Sequence, residues 1–197
     1  MTRTRKLLLT LMVVGVAASV VAVGVFSAFS STTSNSGNQL TAGTVAIGDN
    51  DAGAAMFNNV TGGKPGTTIQ RCITVTYTGS LDSDVRLYTT DASSGTLAPY
   101  VDVTIEPGSY SGAPPAFPSC TGFTADSGGA IYTGTLANFR TTKNSYANGV
   151  VDNPGSSTKW AQNDAVVYRV SYTVQDTNAA QGLTTGSHSF TWEARNQ

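Results

Sequence analysis

The chain has 197 residues, with 11 basic and 12 acidic side chains for a formal net charge of −1, and only 12% of its residues are charged. No basic patch with interleaved aromatics is present, so the composition argues against a nucleic-acid-binding surface. One histidine cannot build a His-Glu-x-x-His zinc helix, and Cys72 and Cys120 are too far apart in sequence to form a Cys-x-x-Cys pair.

The N-terminus reads in three parts. Arg3, Arg5 and Lys6 are positive, residues 7–25 carry no charge and are rich in Leu, Val, Ala and Gly, and small and polar residues follow over 27–36. That is the order of a secretory signal peptide, predicted to be helical over residues 1–28. Ala28 and Phe29 flank the expected cut. The apolar run is long for a signal peptide and approaches the roughly 20 residues that span a bilayer, so a retained anchor is the competing reading. Removing residues 1–28 takes the basic count from 11 to 8 against 12 acids, for a net charge of −4. Residues 29–197 then form one domain, large enough to bury a core.

Strand patterns fill that domain. Val45 and Ile47 alternate with Thr44 and Ala46. Ile69, Ile73, Val75 and Tyr77 share one parity against Gln70, Thr74 and Thr76. Val85 and Leu87 form a short run. Val101, Val103 and Ile105 alternate with Asp102, Thr104 and Glu106. Val166, Tyr168, Val170, Tyr172 and Val174 give the clearest run, and Phe190, Trp192 and Ala194 the last. A period of two is the mark of a half-buried strand, because successive side chains point to opposite faces. Weaker strands are expected at 56–60 and 131–135, and a turn of helix near 136–139. Gly62-Gly63-Lys64-Pro65-Gly66, Pro107-Gly108, Gly128-Gly129 and Asn153-Pro154-Gly155 read as turns. The fold class is all-β, a jelly-roll-like two-sheet sandwich.

Export permits a disulfide between Cys72 and Cys120, and an even count favours one over two separate buried thiols. Closing a loop of about 50 residues stabilises by roughly 4 kcal/mol. Cys72 lies on the polar parity of its strand. Its partner is therefore expected outside the core, on the proline-rich segment 112–120 pinned to the outer sheet face, unless a bulge turns Cys72 inward.

Little chemistry is visible, and neither a catalytic residue nor a cofactor site is nominated. His188 shares the apolar parity of the last strand, where a packed histidine is expected. No G-x-S-x-G context nominates a serine nucleophile. Asp49 and Asp51, in Asp-Asn-Asp-Ala-Gly, are weak metal candidates: the spacing can begin a calcium loop, but a polar turn uses the same residues. Trp192 reads as a core residue, while Trp160 lies in a looser polar segment and reads as exposed.

The order of segments carries more than any one motif. Ala28-Phe29 precedes Ser-Thr-Thr-Ser-Asn-Ser-Gly-Asn (31–38) and Leu-Thr-Ala-Gly-Thr-Val-Ala-Ile (40–47). Asn59-Val60 and Lys64-Pro65-Gly66 lead into the strand ending at Tyr77, followed by Thr78-Gly79-Ser80-Leu81, and the chain closes on Phe190-Thr191-Trp192-Glu193-Ala194. This resembles the TasA/camelysin family of exported bacterial proteins, with signal peptides of the SipW-dependent type. The resemblance covers both ends and the first third, and is poor over about 95–160. It implies a jelly roll, a secreted or cell-surface location, a role in biofilm matrix, and processing by a signal peptidase of the SipW type. It also implies that the segment after the cut is a donor strand completing the next subunit's sheet. The matching positions are 29–47, with Phe29, Leu40, Val45 and Ile47 as its apolar residues. The partner would be a second copy or another matrix or surface protein, and the membrane is met only through the signal segment. Some family members are described as metalloproteases; the single His188 speaks against that activity here.

Overall fold

The computed structural model describes residues 3–5, 7, 8, 10–12, 41–58, 60, 63–91 and 95–196. The chain divides into two compact units, Met1–Thr41 and Ala42–Gln197. In the first, residues 3–5, 7, 8 and 10–12 are helical and exposed. No helix among the described residues is long and apolar enough to cross a membrane. The expected cut at Ala28 and Phe29, and Leu40 of the expected donor strand, lie outside the described residues.

The second unit is built from β1 (Ile47–Asp49), β2 (Thr68–Tyr77), β3 (Asp84–Tyr88), β4 (Val101–Tyr110), β5 (Phe123–Ala125), β6 (Tyr132–Thr135), α1 (Leu136–Thr142), β7 (Val150–Val151), β8 (Ala165–Val174) and β9 (Thr191–Arg195). One sheet has the order β1-β2-β8-β4-β5, with β6 also paired to β4; the other is β7-β3-β9. All of these pairings are antiparallel. The chain is thus an all-β sandwich of one large and one small sheet.

The predicted parities hold. Ile73, Val75 and Tyr77 of β2, Val101, Val103 and Ile105 of β4, Val166, Tyr168 and Val170 of β8, and Val85 and Leu87 of β3 are buried in one cluster. Burying each such side chain contributes roughly 1.5–3 kcal/mol. The helical turn is present as α1. Thr135 caps it, its hydroxyl accepting from the Asn138 N–H at 3.1 Å, and Leu136 and Phe139 point into the core.

Four expectations require correction. Pro107-Gly108 lies inside β4 and is not a turn. Pro107 sits where the second neighbour of β4 changes from β6 to β5, a break in the ladder where a missing N–H is tolerated. Gly108 is needed there because a Cβ would strike the Thr124 carbonyl and the Phe123 ring. The run at 56–60 is not a strand: residues 56–58 form a turn, and Phe57 stacks on Tyr172 with ring centroids 4.1 Å apart. Residues 44–46 are not strand, although the Thr44 and Ala46 carbonyls accept four backbone N–H groups from residues 78–81. Trp160 is not exposed. It is fully buried, and its Nε1–H donates to the Asp152 carbonyl at 2.7 Å.

Candidate functional site

Two strand edges of the sandwich contrast: among the described residues β9 has a strand on one side only, while β2 is closed beyond β1 by groups that are not strands.

The open edge belongs to β9. Its sequence Thr-Trp-Glu-Ala-Arg alternates apolar and polar residues, which places Trp192 and Ala194 against the core cluster and Glu193 on the other face. Among the described residues β9 pairs only with β3. On its other side a groove of about 210 Å³ separates it from β1, with Ile47–Asp49 and Val75 on one side and residues 190–192 on the other. Phe190 and Trp192 are only partly buried there. The opposite face of β9 is fixed by polar contacts. The Tyr88 hydroxyl donates to Glu193 Oε2 at 2.6 Å, and Arg195 Nε donates to Glu193 Oε1 at 2.6 Å. Together they hold the Glu193 carboxyl below its usual range, Arg195 contributing first. The Arg195 guanidinium also lies over the Tyr146 ring, 4.1 Å from its centroid.

The expected donor segment is divided by this arrangement. Ile47 is in β1, opposite Tyr77 in its own sheet, and packs against the core cluster. Val45 is exposed.

The closed edge belongs to β2. Cys72 and Cys120 form a disulfide with their Cα atoms 5.1 Å apart. The register of β2 against β8 runs residue for residue from Thr68 to Thr76, so no bulge turns Cys72 inward. It faces out, as its parity predicts, yet is fully buried. The segment bearing Cys120 covers it.

The remaining candidates resolve into structural roles. Asp49 ends β1. Its Oδ1 accepts the Asp51 N–H at 3.0 Å, and Asp51 Oδ1 accepts the Gly53 N–H at 2.6 Å. Ala52 and Gly53 have positive φ. These are the self-bonded carboxylates of a polar turn. Partial burial raises the Asp49 carboxyl above its ordinary value. His188 is half-buried. Its Nε2 lies 2.5 Å from the Tyr172 hydroxyl and its Nδ1 3.3 Å from the Gly186 carbonyl. Burial lowers its pKa, so the ring is neutral, donating from Nδ1 and accepting at Nε2. Arg140 of α1, buried nearby, donates from Nη2 to the Thr185 carbonyl at 2.9 Å.

The fold and the open edge define a class: an antiparallel sandwich whose smaller sheet ends, among the described residues, in a strand paired on one side only. Residues 3–96 match the family described as Camelysin metallo-endopeptidase. That match is consistent with the resemblance to the TasA/camelysin family. No curated protein matches the chain.

The family description implies a metal, and the donor set here does not suit one. The single histidine spends both ring nitrogens on Tyr172 and Gly186. Asp49 and Asp51 spend oxygens on their own turn. Among the described residues no three His, Cys, Asp or Glu side chains converge.

The open edge itself was not visible in the sequence. Alternation marked 190–194 as a strand, but a strand's neighbours leave no trace in its own pattern. Tyr88 and Glu193, which fix its outer face, were missed for the same reason.

Proposed function

We propose that this chain is an exported structural protein of the cell surface or biofilm matrix, and that it assembles into filaments by donor-strand addition. The observation that carries the reading is the unpaired edge of β9 beside the groove to β1. An exposed strand edge is a template for pairing with another chain. Adding an extended segment satisfies its backbone groups together, while alternate side chains enter the groove. The donor is the segment that follows the signal peptide. Thr44 and Ala46 are already hydrogen-bonded to 78–81, which leaves the stretch before them, residues 29–40 above all, to reach a second copy. Twelve extended residues span roughly 40 Å, enough to cross to a neighbouring domain. Head-to-tail addition of this kind does not close on itself, so it yields filaments.

The family match over residues 3–96 supports an exported protein of this kind. Processing by a signal peptidase of the SipW type would then release the chain and free its joining strand in one cleavage.

A synthetic peptide of residues 29–40 tests the reading. Added to processed protein in excess, it should block filament growth and slow hydrogen exchange at the β9 amides. A peptide that leaves both unchanged would contradict donor addition at this edge.

A further inference from the structure

The disulfide has a role that the family resemblance does not supply. β2 is ten residues long, but its neighbour β1 covers only three of them, Val75 to Tyr77. The rest of that edge would be open, yet irregular partners occupy it one group after another. The Thr74 N–H donates to Asn50 Oδ1 at 2.9 Å, and the Thr74 carbonyl accepts the Asn50 N–H at 3.2 Å. The Cys72 N–H donates to the Pro118 carbonyl at 3.0 Å. The Gln70 carbonyl accepts from Arg71 Nη1 at 2.9 Å. Pro118 thus stands where the backbone of an added strand would accept, and as a proline it has no N–H with which to continue a ladder.

The β4–β5 ladder holds the segment 111–120 at its base, where the Ser111 N–H donates to the Gly122 carbonyl at 2.9 Å, and three further contacts, besides the Cys72–Pro118 bond, hold its far end in that place. Cys120 is bonded to Cys72 on the outer face. Phe117 packs against the core cluster. The Tyr110 hydroxyl donates to the Ser119 carbonyl at 3.0 Å. The last two are a single partly buried ring and one hydrogen bond worth about 1 kcal/mol net, so among the contacts of the far end with β2 the covalent bond is the principal fastening.

We infer that the segment 111–120 is an edge guard locked by the Cys72–Cys120 disulfide, and that reducing the bond turns β2 into a strand-pairing edge for a second copy of this chain. Unpaired edges associate with one another unless something blunts them. Covering β2 keeps that edge from pairing in oxidised chains, and reduced chains join side by side through it. The reductant is a dithiol. One of its thiolates attacks the Sγ of Cys120, which is half-buried where Cys72 is fully buried, and the Cys72–Cys120 bond breaks as Cys72 leaves. The reagent's second thiolate then displaces Cys120 and closes a cyclic disulfide. Two electrons and two protons pass from the dithiol to the two cysteines. The inference does not depend on filament formation through β9.

Site-resolved hydrogen exchange and sedimentation test it on the full processed chain, in two parallel arms. One arm is the native protein with and without dithiothreitol; the other is Cys72→Ala/Cys120→Ala. Exchange at the residue 72 amide should rise at least tenfold in both arms while the Val75 and Val170 amides stay protected. The sedimentation distribution should move to at least twice the mass of the oxidised protein in the same preparation. Continued protection of the residue 72 amide without a change in mass would overturn the inference, as would its exposure without association. Loss of protection throughout both sheets in both arms would assign the bond to global stability alone, and would also overturn it.

Discussion

Two aromatic side chains show how much depends on a single hydrogen bond. Trp160 is fully enclosed, yet its indole N–H still finds the Asp152 carbonyl. Burial of a tryptophan is favourable only when that donor has a partner. The flanking residues Thr158, Lys159, Ala161 and Gln162 are mostly polar, so nothing in their pattern announces the burial. An isolated bridge between Trp160 and Ser83 draws the residue in, and such a long-range pairing cannot be read from local sequence. Trp160→Ala should destabilise the domain by about 3–5 kcal/mol, read as a fall in the midpoint of urea unfolding. His188 gives a prediction of another kind. Burial lowers its pKa in the folded chain below the unfolded value of about 6.5. The unfolded chain then binds more protons in that range. The stability from the neutral, Tyr172-bonded ring is therefore present above about pH 6.5 and is lost as pH falls through the folded pKa. Thermal melts between roughly pH 7 and 5 should show a decline that His188→Gln flattens.

Elements were legible where both faces of a strand differ and the strand is long. β4 and β8 alternate over most of their length, and Val101, Val103, Ile105, Val166, Tyr168, Val170 and Tyr172 are buried as predicted, although Val167 and Ser171 of the other parity are buried too. Cys72 was legible for the same reason: its parity set it outside the core, and an unbroken register kept it there. Short strands were not. β5 and β7 have three and two residues, too few to show a period, and they exist because β4 and β3 offer them a ladder. Pro107 misled because proline usually ends a strand; it survives in β4 only where the neighbouring strands change. The disulfide acts at this scale. It spans 48 residues of sequence, so cutting it frees a large loop in the unfolded chain. Removing it should lower stability by roughly 4 kcal/mol in the loop-entropy account, measured as a shift in denaturant midpoint between oxidised and reduced protein.

At the scale of the whole molecule, the two sheets are unequal. The larger is closed along β2 by Asn50, Pro118 and Arg71, and the smaller ends on an uncovered β9. In the proposed assembly, that asymmetry makes β9 the joining edge. The all-β class could be read from alternation and turns alone. The strand order could not, because pairing is decided between segments far apart in the chain. The donor segment was proposed from the order of motifs around Ala28-Phe29. The structure divides it by placing Ile47 in its own sheet, so that residues 29–40 carry the proposed joining role. Electron microscopy of the processed chain, with and without residues 29–40, tests that claim most directly. The account predicts filaments from the intact chain and dispersed particles from the deletion. Dispersed particles from the intact chain under all conditions, or filaments that persist in the deletion, would contradict it.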